Sequence, residues 1–122
     1  LYKQWSKNFV LHYLYKKISG DFMLTASFEF EGDKGNEHRK IGWMVRESLD
    51  DASASYNAVT HGNGLTVLQW RPLRGAYMRD PEGEIFYPKK VVFQTIQLER
   101  IGNKITMRVA TGANLCRKLA LQ

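Results

Sequence analysis

The sequence predicts an all-β protein, an antiparallel β-sandwich or barrel of about seven short strands. Three observations lead there. Phe22 to Phe30 alternates apolar and polar side chains over nine residues, a period of two that no helix produces. Gly62-Asn63-Gly64 and Gly102-Asn103 each separate two alternating runs, and both residue types tolerate the positive φ of a hairpin turn. No long stretch carries an apolar repeat of helical period.

Taken in order, residues 1–8 are polar with one Trp and lead into the fold. Phe9 to Tyr15 alternates with both faces largely apolar, as in a strand covered on two sides. Ser19-Gly20-Asp21 supplies a turn. In the next strand Phe22, Leu24, Ala26, Phe28 and Phe30 point inward, while Thr25, Ser27 and Glu29 point out. Glu31 to Lys40 is a charged, glycine-containing exposed loop. Ile41 to Glu47 alternates again, and Leu49 to Ser55 is a connection too short for a packed helix. Tyr56 to His61 and Leu65 to Arg71 form a hairpin that Pro72 ends, because proline has no N–H for the ladder. Residues 72–90, with three prolines, read as the longest loop. Val91 to Arg100 and Lys104 to Ala110 form a second hairpin, with Ile101, Ile105, Met107 and Val109 as its apolar face. The last dozen residues read either as an edge strand or as a tail.

A length of 122 residues accommodates one domain, 1–122, with a single core. Since the chain begins at Leu1, it reads as a trimmed or minimal form. Cys116 is the single cysteine, so an internal disulfide and a cysteine-based metal cluster are excluded. No apolar run approaches the roughly 20 residues that span a bilayer, and no membrane partner is expected. The net charge of +6 is split into +4 over residues 1–20, −4 over 21–60 and +6 over 61–122. Its basic residues are scattered singly or in pairs along different strands, which fits a solvated surface better than a nucleic-acid interface.

The segments SGDFMLTASFEF (19–30), IGWMVRES (41–48), YNAVTHGNGLTVLQWR (56–71) and TIQLERIGNKITMRV (95–109) carry a recognisable pattern. It consists of Gly20-Asp21-Phe22, a Gly-hydrophobic-Arg strand from Gly42 to Arg46, Gln69 to Arg71, and Leu98 to Asn103. In these segments the chain resembles an uncharacterised bacterial branch of the concanavalin A-like lectin/glucanase superfamily. The resemblance implies a jelly roll of two curved antiparallel sheets, a glycan as ligand, and a secreted or periplasmic location.

Glucanases of that superfamily present carboxylates at alternate positions of one strand, because retaining hydrolysis needs two carboxyl groups about 5–5.5 Å apart. No predicted strand here offers that triplet. Glu31 begins a loop, Glu29 points away from the core face, and Asp50-Asp51, Glu82 and Glu84 lie in connections. The more telling set is Arg46, Gln69 and Arg71, planar hydrogen-bonding groups suited to sugar hydroxyls or a carboxylate. Asn57 and His61 lie on the adjoining strand and complete the candidate ligand-binding set. Gln69 and Arg71 share a strand face and Trp70 the other, so Trp70 belongs to the core if the pair lines a concave surface. A cross-strand polar ladder on an exposed sheet face, with buried tryptophans, is the structural alternative. His12, His38 and His61 lack metal-ligand spacing, and neither acidic connection has the alternating ligands of a calcium loop, so no metal or cofactor is expected.

The sequence thus leads to a non-catalytic, lectin-like carbohydrate-binding module. A glycan-processing hydrolase with atypical catalytic residues and a structural or protein-interaction domain are the rivals. Oligomeric state has no signature in the sequence.

Overall fold

The computed structural model describes residues 13–32, 34–78, 85–87, 93–111 and 116–121, with only the strands themselves described for 85–87 and 116–121. Eight strands follow one another among these residues, with no helix: β1 (Phe22–Ser27), β2 (Lys40–Arg46), β3 (Ser55–His61), β4 (Thr66–Arg71), β5 (Ile85–Tyr87), β6 (Thr95–Ile101), β7 (Lys104–Ala110) and β8 (Cys116–Leu121). They make two antiparallel sheets, β1-β6-β7-β8 and β2-β3-β4-β5.

Alternation decides which side chains meet between the sheets. Ala58 and Leu68, paired on β3 and β4, pack with Ile96 and Leu98 of β6 and with Ile105, Met107 and Val109 of β7. Phe22, Phe28, Trp43, Val45 and Tyr56 pack around this cluster, and Phe93 enters it from the residues before β6. The arrangement is sandwich-like, with inward faces of two sheets forming one core. A polar tie crosses it: Trp43 Nε1 donates to the Ile96 carbonyl at 2.9 Å, and the Trp43 ring meets Phe28 edge-on at 5.8 Å. Both satisfied indole and edge-to-face ring are the arrangements preferred by a Trp packed against a core.

The hairpins form where glycine and asparagine predict them. At the first, His61 N donates to Leu65 O at 2.7 Å, and the Asn63 side chain accepts from Leu65 N at 3.0 Å. At the second, Gly102 holds φ of +57°, and its N–H donates to Asp21 Oδ1 at 2.8 Å. Asp21 thereby joins the turn before β1 to the β6–β7 turn.

Gly42 answers a different need. Its φ is +152°, and a Cβ there would overlap the Ala58 carbonyl oxygen and lie 2.8 Å from the Val59 Cα. Only glycine lets β2 approach β3 at that point.

Three local expectations change, and the C-terminal stretch takes one of its two readings. Of the strand expected over Phe9 to Tyr15, residues 9–12 lie outside the described residues, and Tyr13 to Tyr15 are not strand. Instead Tyr13 and Tyr15 stack at 5.8 Å, and Tyr13 Oη donates to the Met44 carbonyl at 3.2 Å. The long loop expected over 72–90 contains β5, which pairs with β4 at Thr66↔Tyr87 and Val67↔Ile85. The C-terminal stretch is an edge strand, β8, paired along β7. Ile101, expected on the apolar face, is exposed because it shares strand parity with Gln97 and Glu99 on the outer face and not with the buried Ile96 and Leu98.

Candidate functional site

Strand registers bring all five predicted ligand residues to one face of one sheet. Lys40, Gly42, Met44 and Arg46 of β2 stand opposite His61, Val59, Asn57 and Ser55 of β3. On β4, Val67, Gln69 and Arg71 stand opposite Val59, Asn57 and Ser55. Trp43, Tyr56, Ala58, Leu68 and Trp70 have the other parity and face the core side, as expected for Trp70 if Gln69 and Arg71 are outward.

Along β3, and at Val67 and Arg71 of β4, this second face is not open to solvent. Asn57 is 8% exposed, Arg71 3% and Ser55 1%, and His61, Val59 and Val67 are buried as well. Strand β3 is therefore covered on both sides, and the polar ladder expected on an exposed sheet face is a covered one. The chain's own groups contribute to the cover. Lys40 Nζ donates to Gln69 Oε1 at 3.2 Å, a bond that crosses β3 from one neighbouring strand to the other. His38 approaches the His61 ring edge-on at 6.3 Å, and Met78 brings its sulfur to 4.0 Å from Asn57 Nδ2.

Both arginines are turned to the β2–β3 connection. Arg46 donates from Nε to Ser48 O at 3.2 Å and from Nη2 to Asp50 O at 2.7 Å. Arg71 Nη1 donates to Asp51 O at 2.7 Å and Ser53 O at 3.3 Å. The loop is also tied from beyond β4: Asp50 Oδ2 accepts both Arg74 Nε at 3.0 Å and Arg74 Nη2 at 2.7 Å. The Asp50 carboxyl is held below the ordinary aspartate range, first by the backbone N–H of Ala52 and then by the Arg74 side chain. Main-chain carbonyls and a carboxylate thus neutralise a cluster of guanidinium groups that the strand ends bring together.

What stays chemically open on this face lies on β3. Ser55 Oγ and Asn57 Oδ1 are buried and make no hydrogen bond. Ser55 was read as part of a connection, and its parity with Asn57 is the signal that would have placed it on the face. Nothing in the sequence pattern marks Met78 as the residue that reaches Asn57.

The first sheet has an outer face of a different kind. Gln97 Nε2 donates to Thr25 Oγ1 at 2.9 Å, and Arg108 donates to Gln97 Oε1 at 2.8 Å and to Glu99 Oε1 at 3.0 Å. Its groups satisfy one another across three strands, around a shallow depression of about 90 Å³ bordered by Thr25, Thr95, Gln97 and Arg108. Among the described residues, no three His, Cys, Asp or Glu side chains gather where they would hold a metal ion.

Comparison of the chain with protein-family models, curated proteins and solved structures gives no match.

Proposed function

We propose that this chain is a non-catalytic, lectin-like carbohydrate-binding module, and that its two sheets are those of a concanavalin A-like jelly roll. The observation that carries the reading is the convergence of Arg46, Asn57, His61, Gln69 and Arg71 on one face of the second sheet. Two buried polar atoms there, Ser55 Oγ and Asn57 Oδ1, retain unused hydrogen-bonding capacity. Amide and hydroxyl groups held by strands are the chemistry that recognises sugar hydroxyls. Strands β2, β3 and β4 contain no Asp or Glu, which favours binding over two-carboxylate hydrolysis on this face. The segments behind the family resemblance coincide with β1, β2, β3–β4 and β6–β7, in keeping with a jelly roll.

A structural or protein-interaction domain is the second reading, favoured by one observation: Arg46 and Arg71 spend their guanidinium groups on the chain's own backbone.

Affinity electrophoresis through gels containing soluble β-glucan, xylan or galactomannan separates the two. The binding reading expects at least one polysaccharide to retard the protein, and expects Gln69→Ala to weaken that retardation at unchanged melting temperature. A folded protein that none of the polysaccharides retards, and that self-associates in sedimentation, overturns it in favour of the second reading.

A further inference from the structure

We propose that Met78 is a displaceable plug on the ligand position of β3, and that the ligand is a saccharide whose hydroxyls replace it at Asn57 and Ser55. The inference rests on the carbohydrate-binding reading and adds where on that face the sugar sits and what gates it.

Asn57 carries an unsatisfied amide. Asn57 is 92% removed from solvent by its 8% exposure, yet its Oδ1 accepts nothing and its Nδ2 points at a thioether sulfur 4.0 Å away. A thioether is a weak acceptor, so both ends of the amide are poorly served. Leaving such a group buried without partners destabilises the folded chain, and any ligand that restores the hydrogen bonds recovers that loss. Ser55 Oγ, the next residue on the same face of β3, is in the same condition. Two residues along a strand rise about 6.5–7 Å, so the two positions match two hydroxyl groups on one sugar unit or on adjacent units.

A hydroxyl is the fitting partner for Asn57 in particular. One sugar hydroxyl accepts from Nδ2 while an adjacent hydroxyl donates to Oδ1, using both halves of the amide. Gln69 stands directly across from Asn57 on β4 and presents a second amide to the same ligand. Arg71 stands across from Ser55 and holds the β2–β3 loop beside it, so it positions the edge of the site.

Met78 is suited to leave. It follows the β4 end in an irregular segment, held by turn bonds such as Ala76 N to Leu73 O at 3.1 Å. Its side chain is unbranched and flexible, and its one polar contact with the face is the weak one to Asn57.

The test compares wild type, Met78→Ala, Asn57→Ala and the double variant in the same polysaccharide gels, together with the Asn57 side-chain amide resonances by NMR. The proposal expects Met78→Ala to tighten binding about tenfold, because the ligand no longer has to displace the thioether from Asn57. It also expects Asn57→Ala to remove binding in both backgrounds, and the Asn57 amide protons to shift on saturation with the polysaccharide. Retardation of Met78→Ala alone supports the plug too. Wild-type retardation that Met78→Ala leaves unchanged or weakens, with Asn57 resonances unmoved, overturns the plug while leaving the carbohydrate-binding reading intact. If neither protein is retarded on any gel, both ideas fall. Because Met78→Ala alters a loop outside the core, its outcome does not depend on the folding of Asn57→Ala.

Discussion

Arg46 and Arg71 meet on one atom. The carbonyl oxygen of Asp51 accepts from Arg71 Nη1 at 2.7 Å and from Arg46 Nη2 at 3.4 Å. One arginine ends β2 and the other ends β4, with β3 between them, so the β2–β3 connection is clamped from both flanking strands. Two guanidinium groups this close repel, and the carbonyl dipoles of Ser48, Asp50, Asp51 and Ser53 offset that repulsion. A side chain used in this way holds the fold as well as being held by it.

Arg71→Met is therefore expected to lower stability by about 2–4 kcal/mol, since it removes buried charge-assisted bonds to Asp51 and Ser53. Arg46→Met, whose bonds lie nearer solvent, is expected to cost about 1 kcal/mol. Urea titrations at unchanged slope measure both. Equal and negligible losses would mean that the clamp is decorative.

Gly42→Ala is expected to cost at least about 3 kcal/mol or to prevent folding, because the added methyl collides with the main chain of Ala58 and Val59. Gly75→Ala is the control, with positive φ but open space around the Cβ position. It should cost only about 1–2 kcal/mol of backbone strain. Thermal melts of the two variants in parallel distinguish collision from strain, and similar shifts would contradict the close approach of β2 to β3.

Trp43→Phe keeps an aromatic ring against Phe28 but removes the N–H that reaches Ile96 across the core. A loss of about 1–2 kcal/mol is expected, whereas Trp43→Ala should lose about 3–5 kcal/mol. Chemical denaturation followed by the remaining tryptophans reads the difference. If Trp43→Phe matched Trp43→Ala, the inter-sheet hydrogen bond would outweigh the packing.

Acid should loosen the same loop that the arginines clamp. The folded pKa of Asp50 lies below its ordinary 3.8, through the Ala52 N–H first and Arg74 second. A depressed carboxyl contributes stability above its unfolded pKa and loses that contribution as pH falls through the folded value. Stability is thus expected to decline below about pH 4, and Asp50→Asn to show a flatter decline. Melting temperatures taken from neutral pH down to about pH 2 test this. Parallel curves for the two proteins would remove Asp50 from the acid response.

The alternation from Phe22 to Phe30 specified β1 and its inward face, although the strand itself ends at Ser27, and the same parity rule separates Trp70 from Gln69 and Arg71. That legibility has a covalent origin: successive side chains of an extended chain point to opposite sides whatever lies around them. Glycine at the two hairpins was legible for the same reason, since the freedom it supplies is local. The purpose of Gly42 was not, because the carbonyl that forbids a Cβ there belongs to another strand. Strand β5 stayed hidden in a proline-containing stretch, as its three residues become strand through pairing with β4 and not through a pattern of their own. The character of the candidate site was likewise a tertiary decision. Sequence placed Arg46, Asn57, His61, Gln69 and Arg71 on common ground, but whether that face met solvent depended on what distant segments laid over it. Tyr13, His38 and Met78 come to it from outside its three strands, and burial, unlike parity, is a property of everything that surrounds a residue.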